Sequence, residues 1–172
     1  MKISLDMIKE LREETGAGIM QCRNALERTE GNREKALEYL KEQGMLKAIS
    51  KSERVAANGV VEAYIHTGGR VGAMVEINCE TDFAALTDDF KELAHNVAMQ
   101  VAAMDPKFLT QDDMPEGAEE EPEAVCLIAQ PYIKDQEKTI QDLITETIAK
   151  IGENVKVSRF ARFELGGQEP EE

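Results

Sequence analysis

The residues whose types invite chemistry are few: two histidines, three cysteines and the run Thr81-Asp82-Phe83. His66 falls in a glycine-rich turn and His95 within a helical pattern. Neither has a second ligand or a nucleophile at a spacing that would bring it alongside, so neither is assigned a metal or catalytic role. Cys22, Cys79 and Cys126 are odd in number and far apart. That argues against a disulfide framework, a zinc site or a redox pair and leaves three reduced, buried thiols. There is no Gly-x-x-x-x-Gly-Lys phosphate loop, no Gly-x-Ser-x-Gly elbow, no His-Glu-x-x-His helix and no dinucleotide fingerprint. Bond chemistry has no visible agent, so we expect no enzyme: no catalytic residue, metal, cofactor or small-molecule substrate. Thr81-Asp82-Phe83 is open to two readings. Thr and Asp are ordinary helix N-caps, with Phe83 then a core residue behind the cap. Alternatively the aromatic is exposed, and its chemistry is contact, because an aromatic side chain buries much area with few rotatable bonds. Residue types alone favour the first.

The elements that position these residues follow from periodicity. Ser4 reads as an N-cap, with Met7, Ile8 and Leu11 forming one apolar stripe up to Gly16. A second helix begins after Gly18 with Ile19, Cys22, Ala25 and Leu26 facing inward. A third carries Ala36, Leu37 and Leu40, with Gly44 as its stop. Three stripes this short can bury only one another, so residues 1–44 read as a three-helix module. Residues 45–58 read as a basic helical linker. The period then changes to two: Val60, Glu62 and Tyr64 alternate with Val61, Ala63 and Ile65, and Val71, Ala73, Val75 and Ile77 repeat the alternation beyond a Gly68-Gly69 turn. This is an antiparallel hairpin.

A long helix is expected over 87–104, a solvated acidic loop over 105–123, and a short helix over 124–130. A capped helix from Thr139 to Gly152 and a third strand over 155–165 complete a body spanning 59–166, and 167–172 read as a frayed tail. The fold class is α+β: a three-helix module followed by an α/β body with a small three-stranded antiparallel sheet and flanking helices.

Charge separates the two parts. Residues 1–54 hold 11 Lys and Arg against 10 Asp and Glu, whereas residues 55–172 hold 9 against 24. An acidic body repels phosphate backbones, so nucleic acid is not an expected partner. No apolar run approaches the roughly 18 residues of a membrane span. Asp6 and Glu10 interrupt the N-terminal stretch, so a signal peptide is not expected and the cytoplasm is the default location.

Three segments together resemble the elongation factor Ts family. They are Ile8-Lys9-Glu10-Leu11-Arg12-Glu13-Glu14-Thr15-Gly16-Ala17-Gly18-Ile19-Met20-Gln21-Cys22-Arg23-Asn24-Ala25-Leu26, Val75-Glu76-Ile77-Asn78-Cys79-Glu80-Thr81-Asp82-Phe83, and Ala149-Lys150-Ile151-Gly152-Glu153-Asn154-Val155-Lys156-Val157-Ser158-Arg159-Phe160. The resemblance implies a ubiquitin-associated-like first module and a partner, the GTPase elongation factor Tu, from which the family releases GDP. It implies that Thr81, Asp82 and Phe83 form a projecting tip that wedges beside the partner's magnesium site. It also implies contacts through Arg12, Ile19, Met20, Arg23, Ile151 and Gly152. Long members of the family carry a second core half and a helical hairpin for which this chain has no room, and extra helical sequence is replaced here by the loop at 105–123. A single sheet leaves one face uncovered, with Val60, Tyr64, Met74, Phe160 and Phe163 as candidates, so a homodimer through the body is expected. The competing function is a non-catalytic helical adaptor or scaffold, which would have no need of a projecting tip at 75–83.

Overall fold

The hydroxyl of Ser4 accepts the Met7 amide at 3.2 Å and opens the first helix, α1 (Leu5–Thr15), in a computed structural model that describes residues 3–167. Gly16 closes it in the left-handed conformation at φ 66°, where a side chain would be strained. The helix α2 (Ile19–Arg28) follows, and the Asn32 side chain caps α3 (Arg33–Lys51) through the Lys35 amide at 3.0 Å. Ile8, Leu11, Cys22, Ala25, Leu26 and Ala36 close into one apolar cluster, separate from the core of the rest of the chain.

Gly44 does not stop α3. The helix runs through it to Lys51, so the expected linker is the last two turns of α3, a turn over 52–54 and a few irregular residues before the first strand. Gly44 is buried, and a Cβ built on it would lie 3.5 Å from the Ala149 Cβ. A glycine inside a helix costs only about 0.5–1 kcal/mol relative to alanine, which the packing of one helix on another outweighs.

The sheet consists of β1 (Asn58–Ile65), β2 (Val71–Cys79) and β5 (Val155–Glu164), all antiparallel, with β2 in the centre. Val60 pairs with Ile77, Tyr64 with Ala73 and Val75 with Phe160, and these residues face the helices α5 (Asp88–Met104) and α7 (Ile140–Ile151). Phe90, Val97, Val101, Ile140, Ile148 and Val155 fill the space between. The period of β1 is as read from the sequence, but the side assigned to the free face is reversed. Val60, Tyr64 and Phe160 pack inward, whereas Val61, Ile65, Met74 and Phe163 are exposed on the face that carries no helix. Both sides of β1 are apolar, so alternation alone does not say which side meets α5.

The segment joining α5 to α7 is more ordered than its acidity suggests. The Lys107 and Phe108 amides both donate to the Val125 carbonyl, at 2.9 and 3.0 Å, and Leu127 donates to Phe108 at 2.9 Å. The expected short helix breaks at Cys126 into α6 (Pro122–Val125) and one 3-10 turn (Leu127–Ala129). A small hairpin of β3 (Pro131–Tyr132) and β4 (Asp135–Thr139) then appears that sequence reasoning missed. Its anchor is Gln100, fully buried on α5. The Gln100 amide donates to Gln130 and to the Pro131 carbonyl, and its oxygen accepts the Ile133 amide at 3.0 Å. Apart from Gly167, the expected frayed tail lies outside the described residues.

Candidate partner-binding surface

The strand β2 ends at Cys79, and the chain turns into α4 (Asp82–Ala85), a single helical turn. Thr81 caps it: its hydroxyl oxygen accepts the Ala84 amide at 3.2 Å. Two small residues, Ala84 and Ala85, face inward and let the turn sit close on the body. Phe83 therefore points outward and is 79% exposed. The reading of Phe83 as a core residue, which residue types favoured, is overturned. Leu86 donates its amide to the Phe83 carbonyl and is 66% exposed, so the two apolar side chains share one face of the turn. Leu86 was not singled out from sequence, although its spacing of three from Phe83 was the available signal. Beneath the turn, burial and then the Glu153 carboxylate push the Cys79 thiol above its ordinary range.

Ile151 and Gly152 reach the same place from the other end of the body. Gly152 ends α7 in the left-handed conformation at φ 78°. The next residue, Glu153, accepts the Thr81 amide on one carboxylate oxygen at 2.9 Å and the Thr81 hydroxyl on the other at 2.7 Å. Ile151 is half-buried and Gly152 exposed beside this contact, and the Lys51 ammonium donates to the Gly152 carbonyl.

Arg12, Ile19, Met20 and Arg23 are all exposed on the first module. Ile19, expected to face inward, is 54% exposed. It is the first residue of α2, so it projects past the end of the stripe that Cys22, Ala25 and Leu26 continue. Met20 is 61% exposed, and Arg23 pairs with Glu27 at 2.8 Å. The Lys150 side chain reaches from α7 to the turn before α2, where a Cβ at Gly16 would meet it at 2.6 Å. A chain of contacts thus runs from the α1–α2 turn through Lys150, Ile151 and Gly152 to Glu153 and the Thr81 tip.

Among the described residues no group of three or more His, Cys, Asp or Glu is placed to hold a metal ion. His95 lies 3.3 Å from Glu62 and His66 accepts or donates to the Tyr64 hydroxyl at 3.0 Å, both at the surface. A shallow apolar groove of about 450 Å³ lies between α3, α7 and β5, and none of its lining residues belongs to the tip. Among the described residues no helix is long and apolar enough to cross a membrane.

The sequence profile of the family described as Elongation factor TS matches residues 7–124. The chain is similar to Elongation factor Ts of Heliobacterium modesticaldum, with 46% identity covering 95% of this chain and 90% of that protein. It is 47% identical to Elongation factor Ts of Carboxydothermus hydrogenoformans, covering 95% and 89%. With Elongation factor Ts of Thermoanaerobacter pseudethanolicus the identity is 44%, covering 95% of each. These alignments span 194 positions, more than this chain of 172 residues, so the relatives carry sequence that it lacks. A match over most of the chain, by profile and by identity, means that this protein belongs to the elongation factor Ts family of translation elongation factors.

Proposed function

We propose that this chain is a guanine-nucleotide exchange factor for elongation factor Tu, working in the cytoplasm without bond chemistry of its own. The observation that carries the proposal is Phe83, an aromatic held 79% exposed on a capped turn at the end of the central strand. An exposed aromatic on a rigid mount is suited to enter a partner rather than to fill its own core. Asp82 and Phe83, with Leu86 beside them, wedge against the GTPase next to its magnesium ion. Magnesium demands near-octahedral geometry from few protein ligands, so a small displacement of one ligand-bearing element weakens it. The diphosphate then loses its main charge partner and GDP leaves.

The driving force is linkage. A factor that binds the nucleotide-free GTPase better than the GDP-bound form weakens GDP by the same factor. A shift of about 10⁴-fold needs about 5.5 kcal/mol of differential binding. Arg12, Ile19, Met20 and Arg23 on the first module supply affinity at a second place, and Ile151 and Gly152 flank the tip. The body, residues 59–166, forms a homodimer through the exposed sheet face, with the modules of residues 1–44 outside.

Titration calorimetry against nucleotide-free and GDP-loaded elongation factor Tu tests this reading. The nucleotide-free form is expected to bind at least about 100-fold tighter, or about 2.7 kcal/mol. Equal affinities would leave no coupling and would refute exchange in favour of a simple adaptor. Removing residues 1–44 is expected to weaken binding to both forms while the remainder still melts cooperatively. Ala48 stays against the body core after that cut, and the two apolar clusters are separate. Loss of soluble protein would count against two independently folding parts.

A further inference from the structure

Glu153 spends both carboxylate oxygens on one residue. One accepts the Thr81 amide at 2.9 Å and the other the Thr81 hydroxyl at 2.7 Å. A hydroxyl has a single proton. Donating it to Glu153 turns the lone pairs of the same oxygen towards the Ala84 amide, which they accept at 3.2 Å. Glu153 therefore sets the orientation of the cap that starts α4. A neighbouring bond repeats the pattern: Glu80 accepts the Asn154 amide at 2.7 Å. The two loop segments, 80–81 and 153–154, are thus cross-linked through one carboxylate from each side. Asn154 is nearly fully buried and donates to the carbonyls of Ser52 and Arg54 at 3.2 and 2.8 Å, tying the exit of α3 to the same knot.

The tip needs such a tie. A helix of four residues does not persist by itself, because nucleation is unfavourable and so few bonds follow it. Its hydrophobic anchorage is the two alanines, Ala84 and Ala85. Hydrogen bonds to a charged acceptor are the stronger kind, and two from one residue also fix direction.

We infer that Glu153 is a positioning residue for exchange: through Thr81 it holds Asp82, Phe83 and Leu86 in the pose that meets the GTPase. The inference rests on the exchange reading above. Glu153 itself lies behind the tip and need not touch the partner. Without it the tip samples other directions, and only a fraction of molecules presents the wedge correctly. Binding through the first module is unaffected, so the loss falls on the rate at saturation rather than on the concentration needed to reach it.

The test uses the full chain with Glu153→Gln. The glutamine oxygen accepts one Thr81 bond, but its amide nitrogen can only donate, so it cannot take the hydroxyl proton and instead competes with the Ala84 amide for the hydroxyl lone pairs. Stimulated release of labelled GDP at saturating chain is expected to fall about tenfold, equivalent to about 1.4 kcal/mol, with the half-saturating concentration changed by less than about threefold. Amide hydrogen exchange over residues 81–86 is expected to speed up in the free chain. Glu153→Asp, which keeps the charge but falls one methylene short, should behave alike and stands in if the first variant fails to fold. A lower melting temperature with unchanged saturating rate and unchanged amide exchange would make Glu153 merely structural and overturn the inference. If the parent chain itself does not accelerate release, the exchange reading fails. Amide exchange then decides the positioning role alone: faster exchange at 81–86 supports it and unchanged exchange overturns it.

Discussion

Replacing Phe83 with alanine is expected to slow stimulated GDP release about 30-fold, or about 2 kcal/mol, the loss typical of a central aromatic anchor. The melting transition should not move. A phenylalanine in the core would cost about 3–5 kcal/mol of stability when truncated. Phe83 is 79% exposed, and the neighbours that hold the turn in place are Ala84 and Ala85 rather than the ring. Thermal melting beside the release assay separates the two effects. A large drop in melting temperature would show that the ring packs against its own chain and would sink the wedge assignment.

The second large effect concerns assembly. The face of the sheet opposite α5 and α7 is apolar at one end and polar at the other. Ile65, Met74 and Phe163 are exposed towards the hairpin turn, with the small residues Ala63, Gly72 and Ala161 among them, and exposed Val61, opposite Glu76, marks the border with the polar end. Towards the tip, Arg159 pairs with Glu76 at 2.6 Å, and the hydrogen bond to this guanidinium is the leading cause that holds the Glu76 carboxyl below its ordinary value. Asn78 and Lys156 continue the polar end. A two-fold contact through the apolar end would cover the exposed side chains and leave both Phe83 tips free. Met74 lies on the central strand between Ala63 and Ala161. Met74→Glu is expected to convert a dimer of twice 19.1 kDa into a 19.1 kDa monomer at micromolar concentration, because like charges brought together across an interface cost several kcal/mol. Met74 is 48% exposed in the single chain, so the melt of the monomer should change little. Sedimentation equilibrium reads the outcome directly. A parent chain that already sediments as a monomer would refute the proposed pairing.

Local signals in the sequence were the ones that carried through to the structure. Ser4 and Thr139 each cap a helix with their own side chain, and Gly16 and Gly152 each end one. Such caps depend on residues three or four positions apart, which a single sequence displays. Features set by distant contacts were not legible. Gly44 looks like a helix stop until Ala149 is seen beside it. The free face of β1 depends on where α5 lies. The β3–β4 hairpin has the polar run Asp135-Gln136-Glu137-Lys138 rather than apolar alternation, and its anchor is the buried Gln100 some thirty residues earlier.

The candidate surface divides in the same way. Residue types alone favoured Phe83 as a core residue, and the two inward alanines after it turn the ring outward instead. Ile19 shares the stripe of α2 but stands at its first position, beyond the reach of the module's core. Glu153 enters the sequence reading only as part of a matching segment, with no role of its own. Its role depends on a partner 72 positions away, at Thr81.

Release of labelled GDP from elongation factor Tu, with and without this chain and with unlabelled nucleotide in excess, tests the central claim most directly. Exchange by linkage predicts that release accelerates with chain concentration to a plateau, and that substoichiometric chain suffices to turn over the whole pool. Release no faster at saturating chain than in its absence would contradict the account.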